Sequence, residues 1–274
     1  MASRFRFVYQ RWFQIFVVGI MLFFATEQTL KITNNPNFFP TVILLGAFLV
    51  PAAFVAYFYG EEQKLDAKIH RETPLILAFS CLLVGGTLGL LVAGLLEYGA
   101  LRTLRVQGLF GVGLIEEGAK LIFPLVIYVR GRYRSEADGL LFGVASGMGF
   151  SALETMGYGL VALINSQGDI GTLEETLLIR GLVSPVGHAA WTGLVCAALW
   201  RARQRTGRAF NPFVLGFFVL AVLLHALWNI ATSASQLLIT YLGYGTIGGL
   251  SFALLVRALV QARHMPPIAE LPVS

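Results

Sequence analysis

Long apolar runs dominate this chain, and short polar stretches separate them. Eight runs are about 20 residues long or longer, which is the length an α-helix needs to cross the hydrocarbon core of a bilayer. Pro36, Pro74 and Pro212 stand at or just before the start of a run, where the missing proline N–H costs a helix nothing. The pattern predicts an all-α polytopic membrane protein with about eight transmembrane helices. These helices are expected near residues 12–31, 38–59, 74–96, 109–129, 138–163, 177–200, 212–233 and 237–260.

Composition indicates that lipid is the main solvent of the chain. Of its 274 residues, 56% are hydrophobic and only 13% are charged, which excludes an ordinary soluble protein. The net charge of +5 comes from short basic clusters between apolar runs, a pattern that argues against nucleic-acid binding. Cys81 and Cys196 lie inside apolar runs without CxxC or Cys/His spacing, so we interpret both as core residues.

Lysine and arginine are distributed unequally between alternate loops. One side of the predicted membrane has 15 basic residues and the other has three. The richer side has Arg4, Arg6, Arg11, Lys64, Lys68, Arg71, Arg130, Arg132, Arg134, Arg201, Arg203, Arg205, Arg208, Arg257 and Arg263, and the poorer side has Lys31, Arg102 and Arg105. Because cytoplasmic loops are enriched in lysine and arginine, we expect both termini in the cytoplasm.

The chain contains no long linker or low-complexity stretch, so we predict a single membrane domain over residues 1–274. Ionisable residues inside spans concentrate between the fourth and the seventh helix. We therefore divide the domain into N-terminal scaffold helices (1–108), a catalytic helix core (109–233) and a C-terminal helix (237–262). The stretch 165–176 contains acidic residues and no basic residue, and it is expected to be a solvated extracytoplasmic loop.

Several ionisable side chains lie at bilayer depth, where each costs at least about 2.5–3.5 kcal/mol on insertion scales. Such residues usually face the interior of the bundle and have a function. They are Glu116, Glu117, Lys120, Glu154, Arg180, His188 and His225, with Asn229 one helical turn after His225.

Lys120 is four residues after Glu116 and three after Glu117, within reach of both carboxylates on a helix. One lysine cannot neutralise two carboxylates, so one glutamate must keep a proton or find another partner. That setting suits a general base, and a salt bridge that only joins helices is the alternative. Asn229 could likewise donate to an oxyanion or form an interhelical hydrogen bond.

Depth gives a stronger indication than spacing. At about 1.5 Å per residue, Glu117, Glu154, His188 and His225 lie about 12–17 Å from the outer face of a core about 30 Å thick. Unrelated scaffold residues would have no reason to agree in depth. Helix glycines such as Gly143, Gly147 and Gly149 would allow the neighbouring helices to approach closely around one site.

Four motifs occur in order over roughly residues 111–230. They are Glu116-Glu117-x-x-Lys120, the stretch from Asp138-Gly139 to Gly149-Phe150-x-x-x-Glu154, Arg180 with His188-Ala189, and His225-Ala226-x-Trp228-Asn229. Together they resemble the motif series of the PrsW family of intramembrane proteases, which is similar in motif layout to the CAAX-type prenyl endopeptidases. Thr155 departs from this pattern, because the family usually has Asn at that position.

The resemblance implies that Glu116 and Glu117 activate a water molecule, and we favour Glu117 as the base. It also implies that His188, His225 and Asn229 orient the water or stabilise the oxyanion. Lys120, Glu154 and Arg180 would support them.

The family is often described as metalloproteases, and His188, His225 and Glu154 are the residues that could hold Zn²⁺. Three glutamates against Lys120 and Arg180 leave one net negative charge. One shared proton would cancel that charge, so the sequence does not decide between a zinc enzyme and a metal-free one.

We therefore predict an intramembrane endopeptidase of a bacterial plasma membrane. It would cleave a membrane-anchored protein near the extracytoplasmic face, by family analogy an anti-sigma factor or a similar single-span regulator. The alternative is a secondary transporter or channel with a buried proton relay. That alternative is weaker, since the acidic residues do not form a path across the full membrane.

Overall fold

The computed structural model describes residues 6–66, 73–103, 108–207 and 211–264. Every regular element in these ranges is helical, which confirms the all-α fold. The α-helices are α1 Arg11–Thr33, α2 Phe39–Asp66, α3 Leu75–Ser80, α4 Gly86–Thr103, α5 Leu109–Lys120, α6 Ile122–Arg130, α7 Glu136–Asn165, α8 Ile170–Val183, α9 His188–Thr206, α10 Pro212–Thr232, α11 Leu237–Gly243 and α12 Gly249–His264. Five basic residues counted in the predicted topology lie outside the described residues: Arg4, Lys68, Arg71, Arg105 and Arg208.

Seven continuous helical segments in the described ranges are long and apolar enough to span a membrane. Two of them are pairs of α-helices joined by one π-helical turn, at Cys81–Gly85 between α3 and α4 and at Tyr244–Gly248 between α11 and α12. The chain is therefore an integral membrane protein.

The predicted fourth span, residues 109–129, is divided at Leu121 into α5 and α6. Pro124 has no N–H to donate to the carbonyl of Lys120 four residues earlier. That carbonyl instead accepts a hydrogen bond from the Ser146 hydroxyl of α7, at 2.7 Å. The buried carbonyl therefore keeps a hydrogen-bond partner, as it must at membrane depth. This hydrogen bond connects Lys120, the last residue of α5, to α7.

The prediction of a solvated loop over 165–176 holds only for the exposed turn before Ile170, where α8 begins. Leu173 and Leu177 form an apolar stripe one turn apart and are fully buried against α1, α2 and the end of α7. Asp169 caps the helix, since its carboxylate accepts hydrogen bonds from the Thr172 hydroxyl and N–H, both at 2.7 Å. These hydrogen bonds lower the pKa of Asp169 from its ordinary value.

The central helix is α7, and every residue from Glu136 to Ala152 is buried. A Cβ atom at Gly147 would lie 2.3 Å from the carbonyl oxygen of His188 in α9. On the opposite side, a Cβ atom at Gly149 would lie 1.7 Å from the carbonyl oxygen of Leu82. The expected close approach at the helix glycines is confirmed.

Asp138, part of the second sequence motif, lies at the start of α7 and has a structural role. Its carboxylate accepts a hydrogen bond from the backbone N–H of Ser135, whose hydroxyl in turn caps α7 at the Asp138 N–H. The hydroxyl of Thr73 also donates to this carboxylate, at 3.1 Å. These contacts hold the start of α7, about 24 Å along the helix from Glu154.

Candidate active site

Ionisable side chains from four helices meet at one buried position. We call them the buried cluster: Glu116, Glu117 and Lys120 of α5, Glu154 of α7, His188 of α9 and His225 of α10. The two imidazole rings are 5.4 Å apart between centroids. The convergence expected from helix depth is therefore present in the structure.

Local backbone features place the histidines. The segment from α8 to α9 is interrupted by a short 3₁₀ turn, Ser184–Val186, so that His188 is the first residue of α9. Its carbonyl group packs directly on Gly147. At the other histidine, Gly113 lets α5 approach α10, because a Cβ atom there would lie 3.1 Å from the carbonyl oxygen of Val222.

Lys120 is fully buried and lies at the centre of the cluster. Its ammonium group donates to Nδ1 of His188 at 2.7 Å, to Oε1 of Glu117 at 2.8 Å and to Oε2 of Glu116 at 3.0 Å. An ammonium has three N–H donors and no acceptor, so all three are used and His188 accepts through Nδ1. The contact of one lysine with both glutamates agrees with the helical spacing.

Each histidine also forms a contact with a glutamate through one ring nitrogen. Nε2 of His188 lies 3.2 Å from Oε2 of Glu154, and Nδ1 of His225 lies 2.9 Å from Oε1 of Glu117. A neutral imidazole has one donor and one acceptor nitrogen. The donor nitrogens therefore face Glu154 and Glu117, and Nε2 of His225 is left facing Oε2 of Glu116, at 3.7 Å.

Glu116, His188 and His225 could hold a metal ion. Each offers one ligand atom, and these atoms lie within 4.8 Å of one another. One carboxylate and two imidazoles, with a fourth position open, form a donor set typical of catalytic Zn²⁺. From the sequence we predicted Glu154, not Glu116, as the carboxylate ligand. In the structure Glu154 contacts Nε2 of His188 and is not part of this group of three.

Arg180 of α8 contacts the buried cluster through Glu154. Its guanidinium donates to Oε2 of Glu154 at 2.8 Å and lies 3.8 Å from the centre of the Tyr158 ring. Oε2 of Glu154 thus bonds both Arg180 and His188. Asn229 lies one turn after His225, and its side chain makes no hydrogen bond to any residue that the structure describes.

Three further residues complete the site and were not identified from the sequence. The hydroxyl of Thr192 donates to Oε2 of Glu117 at 3.3 Å. The indole of Trp191 stacks on the His225 ring with centroids 4.8 Å apart, and its N–H donates to the Ser251 hydroxyl. Trp191 follows His188 at the same His-Ala-x-Trp spacing that joins His225 to Trp228, and this repeat was the available signal.

Glu97 is the third of these residues and comes from α4, which was interpreted as scaffold. It interacts electrostatically with members of the buried cluster, Glu116, Glu154, Lys120 and His225. Its Oε1 atom is buried and has no hydrogen-bond partner among the described residues. The predicted third span ends at residue 96, so Glu97 was not counted at bilayer depth.

The geometry agrees with a comparison to known families. A family model described as PrsW family intramembrane metalloprotease matches residues 73–260. This range contains the buried cluster and Glu97, and it extends the resemblance well beyond residues 111–230. Comparisons with curated proteins and with solved structures found no match.

Proposed function

Because the chain belongs to the PrsW family of intramembrane metalloproteases, we propose that it is an endopeptidase that cleaves a membrane-anchored protein near the extracytoplasmic face. Family membership makes it a protease whose substrate is a membrane protein in the bilayer. The position of the cut and the roles of individual residues are the proposal. The transporter alternative has no support from the family match.

One observation carries the mechanism: each histidine has one nitrogen bonded to a glutamate. The other nitrogen of His225 faces Glu116, and that of His188 accepts from Lys120, a hydrogen bond that a bound metal ion would replace. His188 is held by Glu154 at 3.2 Å and His225 by Glu117 at 2.9 Å. Metal-binding histidines commonly donate their second N–H to a carboxylate, which fixes the ring and its tautomer. The arrangement supports Glu116, His188 and His225 as the residues that hold a divalent cation, with Zn²⁺ the ion that suits them best.

Charge supports the same conclusion once Glu97 is included. Four carboxylates then interact with two cations, Lys120 and Arg180. Carboxyl groups therefore outnumber cations at the site, which favours the binding of a divalent cation. Bound there, such an ion would favour ionisation of a water molecule and polarise the scissile carbonyl.

We assign the role of general base to Glu117, as expected from the sequence. Glu116 is then a ligand, so Glu117 is the carboxylate of the pair that remains to accept the proton of the attacking water. Its Oε1 accepts from Lys120 and His225, whereas Oε2 has only the 3.3 Å hydrogen bond from Thr192. Oε2 therefore keeps a lone pair for the proton.

Asn229 is our candidate for oxyanion stabilisation. Its amide is not engaged by the described residues and lies one turn from His225. A free amide next to a reactive centre can donate to the oxygen that becomes negative in the tetrahedral intermediate.

The proposed position of substrate cleavage, near the extracytoplasmic face, is based on how far the site lies from the ends of α7 and α10. His225 lies about 10 Å from the end of α10 at Thr232, and Glu154 about 16 Å from the end of α7 at Asn165. Both ends are opposite the arginine-rich ends of the helices. With the basic loops in the cytoplasm, water enters from the outside, and an anti-sigma factor or similar single-span protein fits as substrate by family analogy.

Cleavage by the purified full-length protein tests this proposal. The protein is reconstituted with candidate single-span substrates, and bound metal is measured on the same sample by elemental analysis. We expect cleavage, near-stoichiometric zinc, and loss of both on treatment with a chelator. Active protein without any bound metal would overturn the metal assignment, and metal-loaded protein that cleaves no membrane-anchored substrate would overturn the substrate class.

A further inference from the structure

A cavity of about 240 Å³ lies at the end of the bundle away from the buried cluster. It is formed by the start of α7 and α10 and the ends of α9 and α12. Most of its walls are apolar, and the rings of Phe213 and Phe217, 5.0 Å apart, form one side. Ala198 of α9 contributes a small side chain to the wall. The catalytic proposal above makes no use of this cavity.

The polar residues of this cavity leave one cation without a counter-ion. Arg201 donates to Glu136 at 2.9 Å, and both side chains are largely buried. Their opposite charges offset each other. Arg257 also lines the cavity, but it makes no hydrogen bond or ion pair with any residue in the described ranges. The cavity therefore combines apolar walls with a net positive charge.

The depth of Arg257 limits which anion can reach it. It is exposed and lies only three residues before the predicted end of the last span at residue 260, so we expect its side chain near the cytoplasmic interface. An unpaired arginine at that depth is costly unless its side chain extends to the interface and meets an anion there. The phosphate groups of phospholipids are at this level, next to the acyl chains.

We propose that this cavity binds an anionic phospholipid, with its headgroup phosphate on Arg257 and part of an acyl chain against Phe213, Phe217 and Ala198. A water-soluble phosphate compound would leave the apolar walls without a partner. Basic pockets between transmembrane helices on the cytoplasmic side are a known way of recognising anionic headgroups. The expected topology puts this end of the bundle in the anionic leaflet.

Binding of two lipids to the delipidated full-length protein tests the proposal. Phosphatidylglycerol and phosphatidylcholine are titrated separately, and bound lipid is measured by native mass spectrometry. We expect phosphatidylglycerol to bind about fivefold more tightly, the effect of one arginine beside an anionic headgroup. Arg257→Gln should remove this preference. Arg130→Gln, an exposed arginine at the end of α6 and outside the cavity, should keep it.

Two further arms identify the source of the anion and the role of the walls. Inorganic phosphate should not displace the bound lipid, and displacement would show a site for free phosphate instead. Ala198→Leu should fill the cavity and weaken both lipids. Equal binding of the two lipids to the wild type, or an unchanged preference in Arg257→Gln, would overturn the proposal even if Ala198→Leu failed to fold.

Discussion

Nδ1 of His225 lies 2.9 Å from Oε1 of Glu117, a residue 108 positions earlier in the chain. The contact makes Nδ1 the donor and leaves the Nε2 lone pair facing Glu116. His188 is held in the same way by Glu154. Two glutamates thus fix the orientation of two histidines beside Glu116, as carboxylates commonly do for metal-binding histidines.

Changing Glu116 or Glu117 to glutamine is expected to affect zinc binding and cleavage differently. Glu116→Gln should lose bound zinc and activity together, because it removes a charged ligand. Glu117→Gln should retain most of its zinc and lose activity by about 10²–10⁴-fold, the typical contribution of a general base. Metal content and cleavage rate measured on the same preparations test this. Zinc loss in Glu117→Gln with retention in Glu116→Gln would reverse the assignment.

The two histidines should behave as one unit. His188→Ala and His225→Ala should each remove the metal, so the double variant should be hardly less active than either single variant. Losses that multiply in the double variant would indicate separate roles. Thermal unfolding of each variant is the control, because the partners Glu154 and Glu117 each lose a hydrogen-bond donor.

Glu97→Gln should weaken metal binding by about tenfold, the lower end of the loss found when outer partners of a metal site are removed. The reason is that the substitution removes an acidic group that interacts electrostatically with Glu116 and His225. Glu175→Gln, an exposed glutamate of α8, is the matched control and should have no effect. Zinc titration of the metal-depleted proteins measures both. Equal affinities would remove Glu97 from the site.

The close contact between α7 and α9 should tolerate no added methyl group. Gly147→Ala should destabilise the protein by about 1–3 kcal/mol, as overpacking typically does, because the new Cβ atom meets the His188 carbonyl. Gly157→Ala is the control on the same helix, since no atom lies within 4 Å of its added Cβ. Unfolding in detergent compares the two. Equal stability would mean that the helices separate freely at Gly147.

The sequence predicts the membrane spans well because hydropathy and length constrain them directly. The break in the fourth span had a visible signal, Pro124, but its partner Ser146 lies 26 residues after Lys120, and no spacing rule connects them. Only the first half of α8 was missed, because Glu174 and Glu175 interrupt the apolar pattern after buried Leu173 and the predicted span begins at residue 177.

The sequence brings the six residues of the buried cluster to one depth, but it does not give their contacts with one another. Glu116 and Glu154 are expected at similar depths in the membrane. The rotation of each helix about its axis decides which of them lies near the histidines, and the sequence does not give that rotation. The structure shows Glu154 on the far side of His188, together with Arg180. Glu97 lies one residue beyond a predicted span, and no motif includes it.

Topology can be tested with two single cysteines at opposite ends of the bundle. Gln167→Cys lies in the exposed turn between α7 and α8, on the side where the site would open. Arg132→Cys lies in the exposed link between α6 and α7, at the basic end. Cys81 and Cys196 can remain, because both are fully buried and a thiol must meet water to react.

A membrane-impermeant thiol reagent added to intact cells should label Gln167→Cys and spare Arg132→Cys, which should react only after permeabilisation. The wild type should stay unlabelled and serves as the background control. This result follows if the basic loops are cytoplasmic, and it would put the buried cluster nearer the outer surface. Labelling of Arg132→Cys alone would invert the topology. The catalytic residues would then remain plausible, but the cut would move to the cytoplasmic half of the membrane and the substrate class would be wrong.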